Sequence, residues 1–491
     1  MSRDIEKAFK GYVTKKGEEY SLKHNPATFY RLFPYTTKLE NSSLEKVDFT
    51  TFDGIIGHCY RAMTKVALPE DLPEESYSVS LKNRVTEQVL KKVKMESDLK
   101  DRFMTMIDSM FFNGEELAKF SPVAQAYLFW KKRIPGLINI ADFIYEIFIS
   151  PKVVAEWSSV KGFNENIFHT LINNALPGLT PIKFKKEQAQ NQKEHYRRQI
   201  PGIIALFEQD FHYLYTYDKQ GFLKESDKLF KLYYFLYVSQ LGLLLNNFFE
   251  DHGDIKPLYF TLETETVSEN RKTVKQGWRF VEPKIANLMS HSVALDILNR
   301  MELGGEQGYN YTELMELIEG FEEDEKEVVL ADMDRLIAFY QNAVGPETKS
   351  WADFLPEKER IAKSARYGHF EKKIREFFQT IEFQFEHSTR KSKRKSFASW
   401  FVFFCKQNFL KNRGRNGYVF NLTQEMLIFM TRICIGNRPK IRLNELMQAF
   451  QNRGIYFDDS TKKAMIDIYE KINVIEKKSD SGDAQYIRQI L

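Results

Sequence analysis

Cysteine is scarce: the 491 residues include three, Cys59, Cys405 and Cys434, and none has a second cysteine two or three positions away. That excludes a disulfide framework and a paired-cysteine zinc module, and it fits a reducing, cytosolic setting. A nucleotide-binding loop is missing too. No GxxxxGK[ST] stretch occurs, and "GGEQGYNYT" lacks the lysine, so the chain is not expected to hydrolyse nucleotides by itself. HExxH, CxxC and HxK patterns are absent and the histidines are scattered; no cofactor and no metal site is expected. The N-terminal "MSRDIEKAFKGYVTKKGEEY" has no uninterrupted apolar core, which argues against a secretory leader. The most apolar segment, "KLFKLYYFLYVSQLGLLLNNFFEDHGD" (228–254), is interrupted by Lys231, Ser239, Gln240, Asn246 and Asn247. Polar groups inside a bilayer are costly, so a buried, aromatic-rich core helix is expected there and no membrane partner.

What is present is a globular composition, 43% hydrophobic and 28% charged, in a chain too long for one core. The expectation is a mainly α, multidomain protein. Apolar spacing near 3.6 predicts helices at Val85 to Leu99 and Leu137 to Ile149 within an N-terminal helical domain, residues 1–180. A basic linker or helix follows at 181–201. Residues 202–387 read as a middle helical domain with a short strand region, "IKPLYFTLETETVS", and an acidic segment. Residues 388–420 form a basic and aromatic segment, and 421–491 a separate module.

The formal net charge of +4 hides segregation. "NYTELMELIEGFEEDEKEVVLADMDRL" (310–336) carries Glu316, Glu319, Glu322, Glu323, Asp324 and Glu325 among ten acidic residues, against only Lys326 and Arg335. It reads as a solvated helix face or as a docking surface for a basic partner or for the chain's own basic segment. That segment, "STRKSKRKSFASWFVFFCKQNFLKNRGRNG" (388–417), contains no Asp or Glu. It holds Arg390, Lys391, Lys393, Arg394, Lys395, Lys406, Lys411, Arg413 and Arg415. Helical spacing places Phe397, Trp400, Phe401 and Phe404 near one face, as core, which leaves two cationic flanks able to follow a phosphate backbone with little sequence reading.

The last seventy residues predict three helices: one opening at Asn421 and Gln424 and ending before Gly436, one capped near Asn444 and stopped by Gly454, and one with a buried stripe of Met465, Ile468, Tyr469 and Ile472. Two strands about a Ser481-Gly482 turn would follow. Three helices and a β-hairpin is the order of a winged helix. Its third helix leaves Ser460, Lys463, Asp467, Glu470 and Lys471 outward, and the hairpin sets Lys477 and Lys478 against Asp480 and Asp483. With no net positive charge on that face, protein docking and DNA contact stay level for this module, with Lys463, Lys477 and Lys478 as its DNA candidates.

Other chemistry is thin. His58 and Cys59 are adjacent and should point apart. Glu263 and Glu265 would share one strand face and could hold a metal, and Glu476-Lys477-Lys478 is half of a nuclease "ExK" pattern. None nominates an active site.

Three stretches together resemble one family: "KLFKLYYFLYVSQLGLLLNNFFE", "KPLYFTLETETVSENRKTVKQGWRFVEPKIANLMSHSVALDILN" and "IEKKSDSGDAQYIRQIL" look like DptG, also called DndG, a bacterial DNA phosphorothioation-dependent restriction protein. The resemblance covers the middle third and the terminus. It implies a cytoplasmic role in defence, with DptF-like and DptH-like partners, the latter two supplying ATP binding, against double-stranded DNA that lacks phosphorothioate. On that basis the chain is expected to be a non-ATPase subunit that bridges partners and helps hold DNA. The alternatives are that it is the nuclease itself, with a carboxylate and metal site hidden from spacing, or a pure scaffold without DNA contact.

Overall fold

The computed structural model describes residues 3–16, 19–22, 29–37, 47–130, 134–163, 166–182, 195–250, 253–301, 303, 308–477 and 485–490. The chain is mainly helical, with a few small sheets. The N-terminal third contributes α1 (Asp53–Thr64), α2 (Tyr77–Lys92), α3 (Ser97–Phe111) and α4 (Pro135–Phe148). The helix expected over Val85 to Leu99 is therefore two: Val93 leaves α2 in an extended conformation, and α3 begins four residues later. Pro135 opens α4 at a position where a missing N–H costs nothing.

The axis of the molecule is α6 (Lys219–Asn246), which packs against α5 (Pro201–Tyr217) across the single residue Asp218. Asp218 caps α6 by accepting from the Gly221 N–H at 2.9 Å. Every residue from Leu229 to Leu245 is buried, the signature of a helix enclosed by protein on all sides. Among the described residues its interruptions all find partners except Ser239: Lys231 Nζ donates to Thr50 O (2.8 Å), and Gln240 clamps the Lys256 backbone through two 2.7 Å bonds. The core helix expected in 228–254 is thus present, and among the described residues no helix is long and apolar enough to cross a membrane. Just past its end, Phe248 and Phe249 adopt φ of 52° and 59°. The left-handed conformation costs about 1–2 kcal/mol per residue for a bulky side chain. Burial of both rings, Phe248 beneath the Arg375 guanidinium and beside Tyr311, is of comparable or larger size.

After α6 come β1 (Leu258–Leu262), α7 (Trp278–Ala286), α8 (Leu288–Arg300), α9 (Tyr311–Glu319), α10 (Glu323–Ala343), α11 (His369–Glu386) and α12 (Arg390–Asn408). Strands β2 (Leu410–Asn412) and β3 (Tyr418–Leu422) precede α13 (Gln424–Ile435). Then follow β4 (Lys440–Arg442), α14 (Leu443–Gln451), β5 (Ile455–Phe457), α15 (Asp459–Lys471), β6 (Ile475–Lys477) and β7 (Gln485–Arg488). One strand was expected at 255–268; it is β1, and it lies inside a four-stranded sheet of order β5-β1-β3-β2. β1 runs parallel to both neighbours, with Leu258 opposite Ile455 and Leu262 opposite Leu422, while β2 and β3 are antiparallel.

The three expected C-terminal helices form with shifted starts. Asn421 belongs to β3, and α13 is capped by Thr423, whose hydroxyl accepts from the Met426 N–H at 3.1 Å. Arg442, not Asn444, precedes α14, without a side-chain cap. Asp458 caps α15, and Met465, Ile468 and Tyr469 are buried as the stripe predicts, whereas Ile472, the fourth member expected, is the C-cap and half-buried. The terminal strands β6 and β7 pair, with Glu476 opposite Tyr486; the Ser481-Gly482 turn lies outside the described residues. β4, which the sequence did not suggest, joins the far edge of β7, giving an antiparallel sheet of order β4-β7-β6.

Buried apolar side chains form a continuous core from Ile5 to Ile487. Arg453, 3% exposed, ties the C-terminal helices to the axis: Nε and Nη2 donate to the two Asp210 carboxylate oxygens at 3.0 and 2.6 Å, and the Tyr233 hydroxyl donates to the same carboxylate. The next residue, Gly454, has φ of 79°, and a Cβ there would lie 2.8 Å from the Gln240 amide, so this turn needs glycine.

Candidate nucleic-acid interface

The basic stretch is built on α12, whose aromatic face decides what its cations can do. Phe397, Trp400, Phe401 and Phe404 are all buried, as their spacing predicts. Trp400 lies so close to Gly136 on α4 that a Cβ there would come within 2.1 Å of the indole, and its Nε1 donates to Thr36 O at 3.3 Å. Phe404 packs edge-on against Tyr234 of α6 at 4.8 Å. These rings are core and offer no stacking platform for bases.

Anchoring that face draws several of the expected DNA ligands inward. Arg390 is 8% exposed and donates to the Gln384 side chain at 3.2 Å; burial holds its pKa below the ordinary arginine value, opposed by the neighbouring Tyr340 and Glu347. Arg394 is clamped by Glu382 and Glu386 of α11, and Lys391 pairs with the same Glu386. Arg413 donates to Glu265 O (2.8 Å), Leu262 O (2.9 Å) and the Asn421 side chain (3.0 Å), sealing the end of the parallel strands. Lys411 Nζ donates to Glu263 O at 3.0 Å. Arg390, Arg394 and Arg413 are therefore fastenings of the fold, because a buried guanidinium takes up every acceptor within reach.

The others face water. Lys395, Lys406 and Arg415 are exposed and Lys393 half-exposed, with no carboxylate partner among the described residues; Lys406 sits 4.9 Å over the Tyr418 ring. Lys463 is exposed on α15 together with Ser460, Asp467, Glu470 and Lys471, the mixed face that the sequence predicts. Lys477 belongs to β6, and Lys478 lies outside the described residues, as do residues 183–194 of the basic linker. A further group escaped the sequence reading. Lys272, Lys275 and Arg279 are exposed on the helical segments beside β1, and α7 packs against α12. The signal was available: 270–281 carries Arg271, Lys272, Lys275 and Arg279 and no Asp or Glu.

The acidic residues Glu316, Glu319, Glu322, Glu323, Asp324 and Glu325 are all exposed, at the end of α9 and the start of α10. Carboxylates in the first turn of a helix are stabilised by its unpaired N–H groups, which favours Glu323, Asp324 and Glu325 there, and Glu323 also pairs with Lys326 at 2.9 Å. The ion partners of the basic helix come from α11, not from this run.

The alternative catalytic groupings come apart. β1 ends at Leu262, so Glu263 and Glu265 do not share a strand face: Glu263 is exposed in a turn, while Glu265 folds back to accept from the Leu262 N–H (2.6 Å) and pairs with Arg271 (2.7 Å). Glu476 pairs with Lys440 at 2.8 Å. His58 contacts Asp142 at 2.7 Å, whereas the Cys59 thiol is fully buried, its pKa pushed up by that burial. No protein-family model and no curated protein matches the chain at a significant level.

Proposed function

We propose that the chain is a non-ATPase subunit of a phosphorothioation-dependent DNA restriction complex of the kind represented by DptG, working in the cytoplasm. In this role it bridges DptF-like and DptH-like partners and helps hold unmodified double-stranded DNA. The observation that carries the DNA-holding part is the set of exposed or half-exposed cations without a carboxylate partner among the described residues, Lys393, Lys395, Lys406 and Arg415, with Lys272, Lys275 and Arg279 exposed in or just before α7, which packs against α12. Such a surface neutralises phosphates and releases counterions without reading bases. The C-terminal helices with the β4-β7-β6 sheet are read as a winged helix; its outward α15 face, with Lys463 against Asp467 and Glu470, suits partner docking better than base contact. The exposed acidic run at α9 and α10 supplies a second docking surface.

The test is binding of the purified chain to a fluorescent duplex across a salt series. It is repeated with Lys393→Ser, Lys395→Ser, Lys406→Ser and Arg415→Ser combined. The variant is expected to lose affinity for all sequences alike and to flatten the salt dependence by roughly 0.9 per phosphate contact removed. Unchanged affinity would remove DNA holding from the role.

A further inference from the structure

The N-terminal third, to which the sequence reading assigns no role, contains a cleft. It lies between the starts of α1 and α2, the segment 113–119 and Tyr127 to Trp130. Its inner part is a cavity of 160 Å³, and it opens onto a wider groove that shares Tyr77, Ser78, Asn113, Glu116 and Trp130. A cavity of about 150 Å³ accommodates a benzene-sized group, so the inner part is the size of one side chain.

We propose that this cleft docks a basic segment of a partner protein, with an arginine or lysine side chain entering the inner cavity. Two features converge. Tyr77, Phe129 and Trp130 form a continuous aromatic wall, with ring centroids 4.8 Å apart for the first pair and 5.5 Å for the second. Aromatic faces attract cations, guanidinium above all. Among the described residues the rim is acidic: Asp48, Glu75 and Glu115 are exposed around it, and the one lysine lining it, Lys119, is already held by Asp53 at 2.5 Å. A phosphate backbone is repelled by such a rim, whereas a cationic peptide is drawn in. A cation-attracting wall and an anionic rim together match a basic peptide. The proposal does not depend on the restriction-complex reading, because only the charge and shape of this cleft enter it.

A fluorescein-labelled octa-arginine peptide titrated with the full chain, followed by anisotropy, tests it. The cleft variant combines Asp48→Asn, Glu75→Gln and Glu115→Gln. A control of equal charge change combines Asp254→Asn, Glu269→Gln and Glu282→Gln, exposed carboxylates outside the cleft. All six residues are exposed, so both variants should fold. The wild-type chain is expected to bind saturably, the cleft variant about tenfold more weakly, and the control within about twofold of wild type. No saturable binding at low salt, or a loss in the control equal to or greater than that in the cleft variant, would overturn the proposal.

Discussion

The basic helix α12 and the acidic turn between α9 and α10 carry like-charge runs of similar density, and the fold uses them in opposite ways. In α12 the aromatic face is core, and the arginines nearest to it go in with it: Arg390 is buried and Arg394 locked between two glutamates. At α9 and α10 all six carboxylates stay in water, and three of them sit where a helix N-terminus already favours negative charge. A run of charge in a sequence therefore counts as surface only after the neighbouring apolar residues have been given a side to bury. Lysine and arginine also divide here. The flexible ammonium of Lys395 or Lys406 remains outside, whereas the guanidinium of Arg413 satisfies three acceptors at once.

Among the described residues Arg453 is the most deeply buried Lys or Arg, and removing it puts this contrast under the greatest load. Arg453→Met leaves Asp210 buried without its counterion and is expected to cost about 3–5 kcal/mol in urea unfolding. Replacing Asp210 as well, by Leu, should recover part of that loss. A loss below 1 kcal/mol for the single change would mean that the pair is not an internal fastening.

The contrast between interior and surface charge can also be sharpened with pH. His291 is fully buried, stacked on Phe378 with ring centroids 3.9 Å apart, and burial, with Arg375 nearby, pushes its pKa down to about 3 from an ordinary 6.5. Above pH 6.5 the ring is neutral in both states and its contribution to stability is complete. As pH falls from 6.5 towards 3 the unfolded chain takes up a proton that the folded chain refuses, so stability drops by up to about tenfold in the folding constant per pH unit. His291→Leu should lose that part of the acid sensitivity; denaturation midpoints at pH 7, 6 and 5 in both proteins decide it.

Much of the helical frame was legible because it depends on local periodicity. The all-round burial of α6 follows from "LYYFLYVSQLGLLL", the stripe of α15 from Met465, Ile468 and Tyr469, and the inward face of α12 from four of its five aromatics. The parallel sheet was not legible beyond β1. Its partners β3 and β5 are five and three residues long and meet β1 from more than 150 positions away, so no local pattern announces them. Asn421 looked like a cap because the strand β3 runs directly into α13, and only the pairing of Leu422 with Leu262 places the boundary at Thr423. The candidate interface was read with too many members for the same reason: that Arg413 would close the end of β1 depends on a contact 148 positions away in sequence.

Smaller effects test the division residue by residue. Arg413→Met should cost about 1–3 kcal/mol, because three acceptors lose a charged donor, and should leave duplex affinity nearly unchanged. Lys395→Ser with Lys406→Ser should do the reverse, shifting stability by less than about 0.5 kcal/mol while weakening binding to every duplex sequence. Thermal or urea unfolding together with duplex titration on the same two variants reads both quantities, and a stability loss in the lysine variant equal to that of Arg413→Met would erase the distinction.

The most direct measurement is the affinity of the purified chain for a short fluorescent duplex from low to physiological salt. A steep loss of affinity with salt, the same for unrelated sequences and reduced when Lys393, Lys395, Lys406 and Arg415 are replaced by Ser, is the result expected of a phosphate-holding subunit. Absence of binding at low salt would contradict it and leave the α9 and α10 surface and the C-terminal helices as docking sites on a scaffold whose partners touch the DNA.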